Sequence, residues 1–320
     1  MTQRTAGKSG NWSDPTVWSG GAVPVWGDDV DINTRVIALD VDITGANTPS
    51  TILSGVGGQL TVATGITRLI GDTDHRVAIT QNCATGIYLF TMTGTVTLAV
   101  WGSIVNSGAQ GGIVSIAANQ NFTLQNPGGT VYTQTAATNA RTAMATTGAG
   151  TGTITGNMST AATGHIIAAV SSSGSTLNVN GNIAGVAGVT SLLTITNGTM
   201  NFTGTATSRG GVGILFSSGS GTLNWTGAAT IAAGLEMQVN MLAGVGNLNL
   251  ATASAALQIT NYGQFAIRVV VGAAFAVTNG SYTASVLNMP GAGTAFITNG
   301  VYPTLKQATF GMGIYSGGAL

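Results

Sequence analysis

An all-β chain wound as a β-solenoid is the fold class this sequence predicts. Three observations predict it: a strand phrase that returns at a fixed interval, a near absence of charge, and no helical periodicity. The phrase is "TLNVNG" at 176–181, "TMNFTG" at 199–204 and "TLNWTG" at 222–227. From Thr176 to Thr199 is 23 residues, and from Thr199 to Thr222 is again 23. Counting back by the same interval reaches Thr153 in "TITGNM" and Thr130 in "TVYTQT", which extends the register to five copies. "NLNLAT" at 247 is the phrase shifted by two, and a second phrase follows in "ITNYG" at 259, "VTNGSY" at 277 and "ITNGVY" at 297.

A fixed period of roughly 20 to 50 residues signals a repeat architecture. Helical repeats need apolar residues at 3.6-residue spacing, and Gly, Thr, Ser and Asn interrupt this chain every few positions. Short strands fit instead. In "TLNWT", Leu223 and Trp225 fall on one face and Thr222, Asn224 and Thr226 on the other. At about 3.3 Å per residue, some 20 to 25 residues make two or three short strands with their turns, one circuit of a coil. Stacked coils place Leu177, Met200 and Leu223 in one interior column, with Trp225 facing the core beside it. Thr and Asn then form outward ladders. The competing fold is a β-sandwich or jelly roll, whose strands also recur at about 8 to 12 residues. It supplies no reason for a phrase to return at 23. A length of 320 residues leaves room for about a dozen coils.

Composition narrows the function classes. Charged residues make up 6% of the chain, against roughly 25% in ordinary globular proteins. The hydrophobic fraction of 44% argues against disorder. The 49 glycines show no three-residue period and Pro numbers only 6, so collagen is excluded. Formal net charge is zero, and such a surface suits close packing against neighbours better than life as a free colloid. No basic patch is present to hold phosphates, so no nucleic-acid partner is expected. The single cysteine, Cys83, is expected to be a small buried apolar residue. "MTQRTAGKSGNWSDP" has no apolar signal core, and the apolar stretch "FAIRVVVGAAFAV" at 265–277 is short and contains Arg268. Synthesis in the cytoplasm and no membrane partner are the expectations. The sequons at Asn201 and Asn224 read as Asn-rich turns.

The N-terminal end is chemically distinct. Asp14, Asp28, Asp29, Asp31, Asp40, Asp42, Asp72 and Asp74 face only Arg4, Lys8, Arg35 and Arg68 in the first 74 residues, a net of −4. The remaining 246 residues carry a net of +4, with Glu236 their one carboxylate. Three tryptophans, Trp12, Trp18 and Trp26, lie in the same stretch. A solenoid must close its first coil, and these rings are large enough to cap it. Val30 and Ile32 alternate inward against Asp29 and Asp31; Ile37, Leu39, Val41 and Ile43 do the same against Asp40 and Asp42. The expected organisation is a cap with first strands over 1–45, coils of about 18 to 25 residues over 46–310, and a Gly-rich tail over 311–320.

Gly10-Asn11-Trp12-Ser13-Asp14-Pro15, then Trp18, Gly20-Gly21, Pro24, Asp28-Asp29-Val30 and Ile32, resembles the N-terminal capping motif of parallel β-helix proteins from bacterial surfaces and bacteriophage particles. The resemblance covers about 25 residues and implies a single-stranded, right-handed parallel β-helix. It further implies a structural, adhesive or, less often, polysaccharide-degrading role.

Candidates for chemistry are few. Sugar-cleaving β-helices use paired carboxylates, or aspartates with Ca²⁺ and a base, whereas Glu236 stands alone after position 74. Asp72, Asp74, His75 and Arg76 in "GDTDHR" are the best candidate for a metal or a general base, against a solvated polar corner. Asp28, Asp29 and Asp31 in "DDVD" are a weak Ca²⁺ candidate without the Gly/Asp nonapeptide of calcium rolls. His165 is isolated, and neither histidine belongs to a nucleophile motif. Trp101 and Trp225 are candidate sugar-stacking rings. The expectation is no catalytic residues, no cofactor and no metal.

The resulting expectation is a non-enzymatic structural protein of a bacteriophage virion, most closely a capsid decoration or cement protein. Its partners would be other copies of itself, as in the trimers such rods commonly form, and major capsid or other virion proteins, with assembly in the host cytoplasm. The alternatives are a tailspike or tail fibre that binds or cleaves host polysaccharide, and a bacterial surface adhesin.

Overall fold

The protein is a parallel β-helix, described here from a computed structural model. Residues 2–82, 87–107, 112–135, 143–160, 168–187, 193–204, 206–209, 212–216, 221–225, 237–241, 245–250, 257–261, 264–269, 287–288, 294–297 and 313–316 are described. Side-chain environments are described within these up to residue 184, over 193–204 and over 221–225. The chain divides into two compact units, Met1–Ala162 and Thr163–Leu320.

In the first unit every coil carries up to three strands, and each strand pairs in parallel with its counterpart one coil away. One stack runs through Gln3–Thr5, Asp29–Asn33, Thr51–Ser54 and Val77–Gln81 into the second half of Val96–Asn106. It continues through the second halves of Gln120–Gln134 and Thr151–Thr160. The first halves of those three long strands form another stack, which begins at Ile66–Ile70. The third stack holds Gly10–Asn11, Val36–Ala38, Gln59–Val62, Tyr88–Met92, Gly112–Ile116 and Met144–Thr146. Asp29–Asn33 and Val36–Ala38, strands within the expected 1–45 segment, already pair into the coils.

Val96–Asn106 alternates buried and half-buried residues over all 11 positions, the pattern of a strand with one face on a core. It nonetheless turns a corner at Gly102, where a Cβ would lie 1.9 Å from the Val77 carbonyl oxygen. Only a residue without a side chain fits there. At the same corner the next coil inserts residues 126–129, and the register shifts between Gln125 and Thr130. Thr153 therefore pairs with Thr123 and Thr130 with Asn157. The expected 23-residue link between Thr130 and Thr153 is wrong, because this insertion moves Thr130 past the bend.

In the second unit the phrase does set the rungs. Thr176, Leu177, Asn178 and Val179 pair with Thr199, Met200, Asn201 and Phe202. Those in turn pair with Thr222, Leu223, Asn224 and Trp225. Leu177, Met200, Leu223, Val179, Phe202 and Trp225 are all fully buried. The Phe202 and Trp225 rings stack 5.2 Å apart, and Trp225 Nε1 donates to the Gly204 carbonyl at 3.0 Å. The shift by two is real, since Thr222 pairs with Asn247. The two described copies of the second phrase do not pair with each other. Ile259 pairs with Leu287 in one stack while Ile297 pairs with Val269 and Ser316 in the other, and Val277 lies outside the described residues. Within the expected tail, Gly313–Ser316 is a strand paired with Thr294–Ile297.

The first coil is filled by Trp12, Val17 and Trp18, each at most 3% exposed. The two indoles meet edge to face at 4.9 Å, and Trp18 Nε1 donates to the Trp12 carbonyl at 2.8 Å. Trp26 departs from the expected cap. It sits in the turn before Asp29, next to Gly27 (φ +87°), and is 46% exposed. Val41 also departs: the strand Val36–Ala38 ends before it, the alternation breaks, and Val41 is exposed while Ile37, Leu39 and Ile43 stay buried.

Candidate functional site

The aspartates of the first coils are the only dense set of titratable groups the sequence offers, and local backbone geometry determines what each one does. Asp14 precedes the 3-10 turn Pro15–Val17 and accepts from the Thr16 N–H at 2.8 Å and the Thr16 hydroxyl at 2.7 Å. The Thr16 hydroxyl first, then its N–H, hold the Asp14 carboxyl below its ordinary pKa. Asp28 is buried at 5% exposure, bonded to Arg4 Nε at 3.2 Å and to the Val25 N–H at 3.1 Å. Asp29 accepts from the Thr51 hydroxyl at 2.7 Å, and Asp31 from the Asn33 N–H at 2.7 Å. Asp40 accepts from Ser13 and Asp42 from the Leu69 N–H at 3.0 Å. Asp28 thus faces away from the strand face that carries Asp29 and Asp31. The three do not converge, and among the described residues no group of three or more His, Cys, Asp and Glu side chains is placed to hold a metal.

The "GDTDHR" turn gathers more. Asp72 Oδ1 accepts from the N–H groups of Asp74 at 2.9 Å and His75 at 2.7 Å and faces His75 Nδ1 at 3.1 Å. Its Oδ2 accepts from the Gly45 N–H at 2.7 Å, one coil away. Both oxygens are engaged, so the carboxylate clamps two turns together. The Gly45 N–H first, with those of His75 and Asp74, lowers the Asp72 pKa from 3.8 to about 2. A depressed carboxyl stabilises the fold above its unfolded pKa and ceases to do so as pH falls through the folded one. The Asp72 contribution is therefore complete above about pH 4 and lost towards pH 2. Acid titration of the unfolding midpoint should show this slope in the wild type, and Asp72→Asn should flatten it. An unchanged slope in the variant would contradict the clamp.

His75 also meets Trp26, edge to face at 4.9 Å and 87°. Arg76 reaches two coils further, its Nη1 donating to Asn126 Oδ1 at 2.6 Å. The structure thus brings Asp72, His75 and Trp26 together and leaves Asp28, Asp29 and Asp31 apart from them. Trp101 is half-buried and Trp225 fully buried, which removes Trp225 as a sugar platform. Cys83, His165 and Glu236 lie outside the described residues.

Two features escaped the sequence reading. One is an interior polar column in the first unit: Ser54, Gln81, Asn106, Gln134 and Thr160, in register and at most 2% exposed. Gln81 Nε2 donates to the Gly112 carbonyl and Tyr132 Oη to Gln134 Oε1 at 2.9 Å. Its signal was there, a polar residue at the last inward position of each of these strands. The other is Arg68, whose guanidinium donates to the carbonyls of Leu39 at 2.9 Å, Asp40 at 2.6 Å and Thr67 at 2.9 Å. Outside, in the second unit, amides tie rung to rung: Asn201 Nδ2 donates to Asn178 Oδ1, and Asn224 Nδ2 to Asn201 Oδ1, both at 2.8 Å. Comparison with protein-family models, with curated proteins and with solved structures finds no match to this chain.

Proposed function

We propose that this protein is a non-enzymatic structural component of a bacteriophage virion, most closely a capsid decoration or cement protein assembled in the host cytoplasm. The supporting observation is the use the chain makes of its polar groups. Asp14, Asp28, Asp29, Asp31, Asp40, Asp42 and Asp72 bind backbone N–H groups, hydroxyls or Arg4 within their own and adjacent coils. The Asn178, Asn201 and Asn224 amides bind one another along the outer face. Polar groups spent on cohesion favour a part that bears load between neighbours over one that turns over a substrate. Its partners are further copies of itself and major capsid or other virion proteins.

Quantitative mass spectrometry of purified virions tests this. The reading expects a copy number comparable with that of the major capsid protein. A handful of copies per particle would move the protein to the tail, and absence from the particle would overturn the reading.

A further inference from the structure

Trp26 is the one aromatic side chain left exposed among those described, at 46%. A large indole in water forgoes burial that the other aromatic side chains described take at least in part. Its position is also fixed. The Trp26 backbone N–H donates to the Ala46 carbonyl at 2.8 Å, and the His75 ring packs against the indole at 4.9 Å. His75 is fixed by Asp72, which is anchored in turn by the Gly45 N–H. Three successive coils thus hold one aromatic plate at a corner of the first unit.

From this geometry we infer that Trp26 is a stacking platform for the apolar face of a neutral sugar ring. Its size and charge select the ligand class. A protein partner needs about 800 Å² per side around an apolar centre; the exposed apolar surface in this turn is the indole and Val25. Nucleobases stack on indoles as well, but their phosphates would meet the net −4 of the first 74 residues. A pyranose carries one face of C–H groups and a rim of hydroxyls. The His75 ring directs Nδ1 to Asp72, which leaves Nε2 for a hydroxyl. Asp74 and Arg76 stand in the same turn, and Arg76 is steadied by Asn126 at 2.6 Å. This site is independent of the capsid role and would add glycan contact to it.

Saturation-transfer difference NMR on the full chain tests the site, with the methyl glycopyranosides of glucose, galactose, mannose and N-acetylglucosamine as probes. One stacked ring implies a Kd of about a millimolar or weaker, well within the reach of that measurement. Expected is transfer to the ring C–H protons of at least one probe, reduced in Trp26→Phe and lost in Trp26→Ala. Absence of transfer from the wild-type protein to all four sugars would overturn the inference. So would transfer of wild-type strength in a folded Trp26→Ala protein, and if that variant fails to fold, undiminished transfer in Trp26→Phe decides against it.

Discussion

Trp12→Ala should lower the stability of the first unit by about 3 to 5 kcal/mol, the usual cost of removing a large buried aromatic. Trp12 is 1% exposed, and its ring lies edge to face on Trp18. Its own N–H extends the third stack by donating to the Ala38 carbonyl at 2.8 Å. Trp18→Ala should cost a similar amount, because it also leaves the Trp12 carbonyl without its indole donor. For a unit of this size each kcal/mol moves Tm by about 2 to 4 °C, so a drop of roughly 6 °C or more is expected. Trp26→Ala is the internal comparison: that ring is 46% exposed and packs on the His75 ring, and its Tm should fall by clearly less than in either of the other two variants. Equal effects at all three positions would show that the first coil is not closed by Trp12 and Trp18.

The second large effect is expected at the corners. Gly102→Ala places a Cβ 1.9 Å from the Val77 carbonyl oxygen, within a backbone contact between adjacent coils. No rotamer relieves that clash. The coils must part, and hydrogen bonds of the Val77–Gln81 ladder are lost with them. A cost of about 3 kcal/mol or more follows, at the upper end of overpacking effects. Gly204→Ala should behave likewise in the second unit, with the Gly181 carbonyl oxygen 1.7 Å from the new Cβ. Gly7→Ala is the neutral comparison, its nearest neighbour being the Val17 carbonyl oxygen at 3.8 Å. Denaturant midpoints of the three variants check the ranking. If Gly102→Ala matches Gly7→Ala, adjacent coils are not in contact at that corner.

Much of the winding is legible in the sequence where coils have equal length. Between Thr176 and Trp225 nothing is inserted, so equal spacing means equal position, and Leu177, Met200 and Leu223 stack. Residues 126–129 break that equivalence, and Thr130 and Thr153 look alike without being neighbours. Alternation identified the inward Val30 and Ile32 because they lie in a strand, yet misplaced Val41, which lies past the end of one. Residue type alone misplaced Trp26. A tryptophan is more often core than surface, but this one lies in the turn before Asp29, beside Gly27 at positive φ, and outside any strand that would alternate it inward. The interior column from Ser54 to Thr160 was missed for the converse reason, since polar residues are assigned outside by default. The aspartates were recognised as a set, but their roles as clamps depend on which N–H groups the turns aim at them.

Engineered disulfides test the stacking itself, in a Cys83→Ser background. Thr176 pairs with Thr199 and Thr199 with Thr222, so their Cα atoms are about 4.8 Å apart on neighbouring strands. That is within disulfide reach, whereas two rungs, about 9.6 Å, are beyond it. The 176/199 and 199/222 double-cysteine variants should therefore oxidise to intrachain bridges, and the 176/222 variant should not. Failure of both adjacent pairs, or bridging of 176/222 as readily as of its neighbours, would contradict the stacked coil on which the whole account stands.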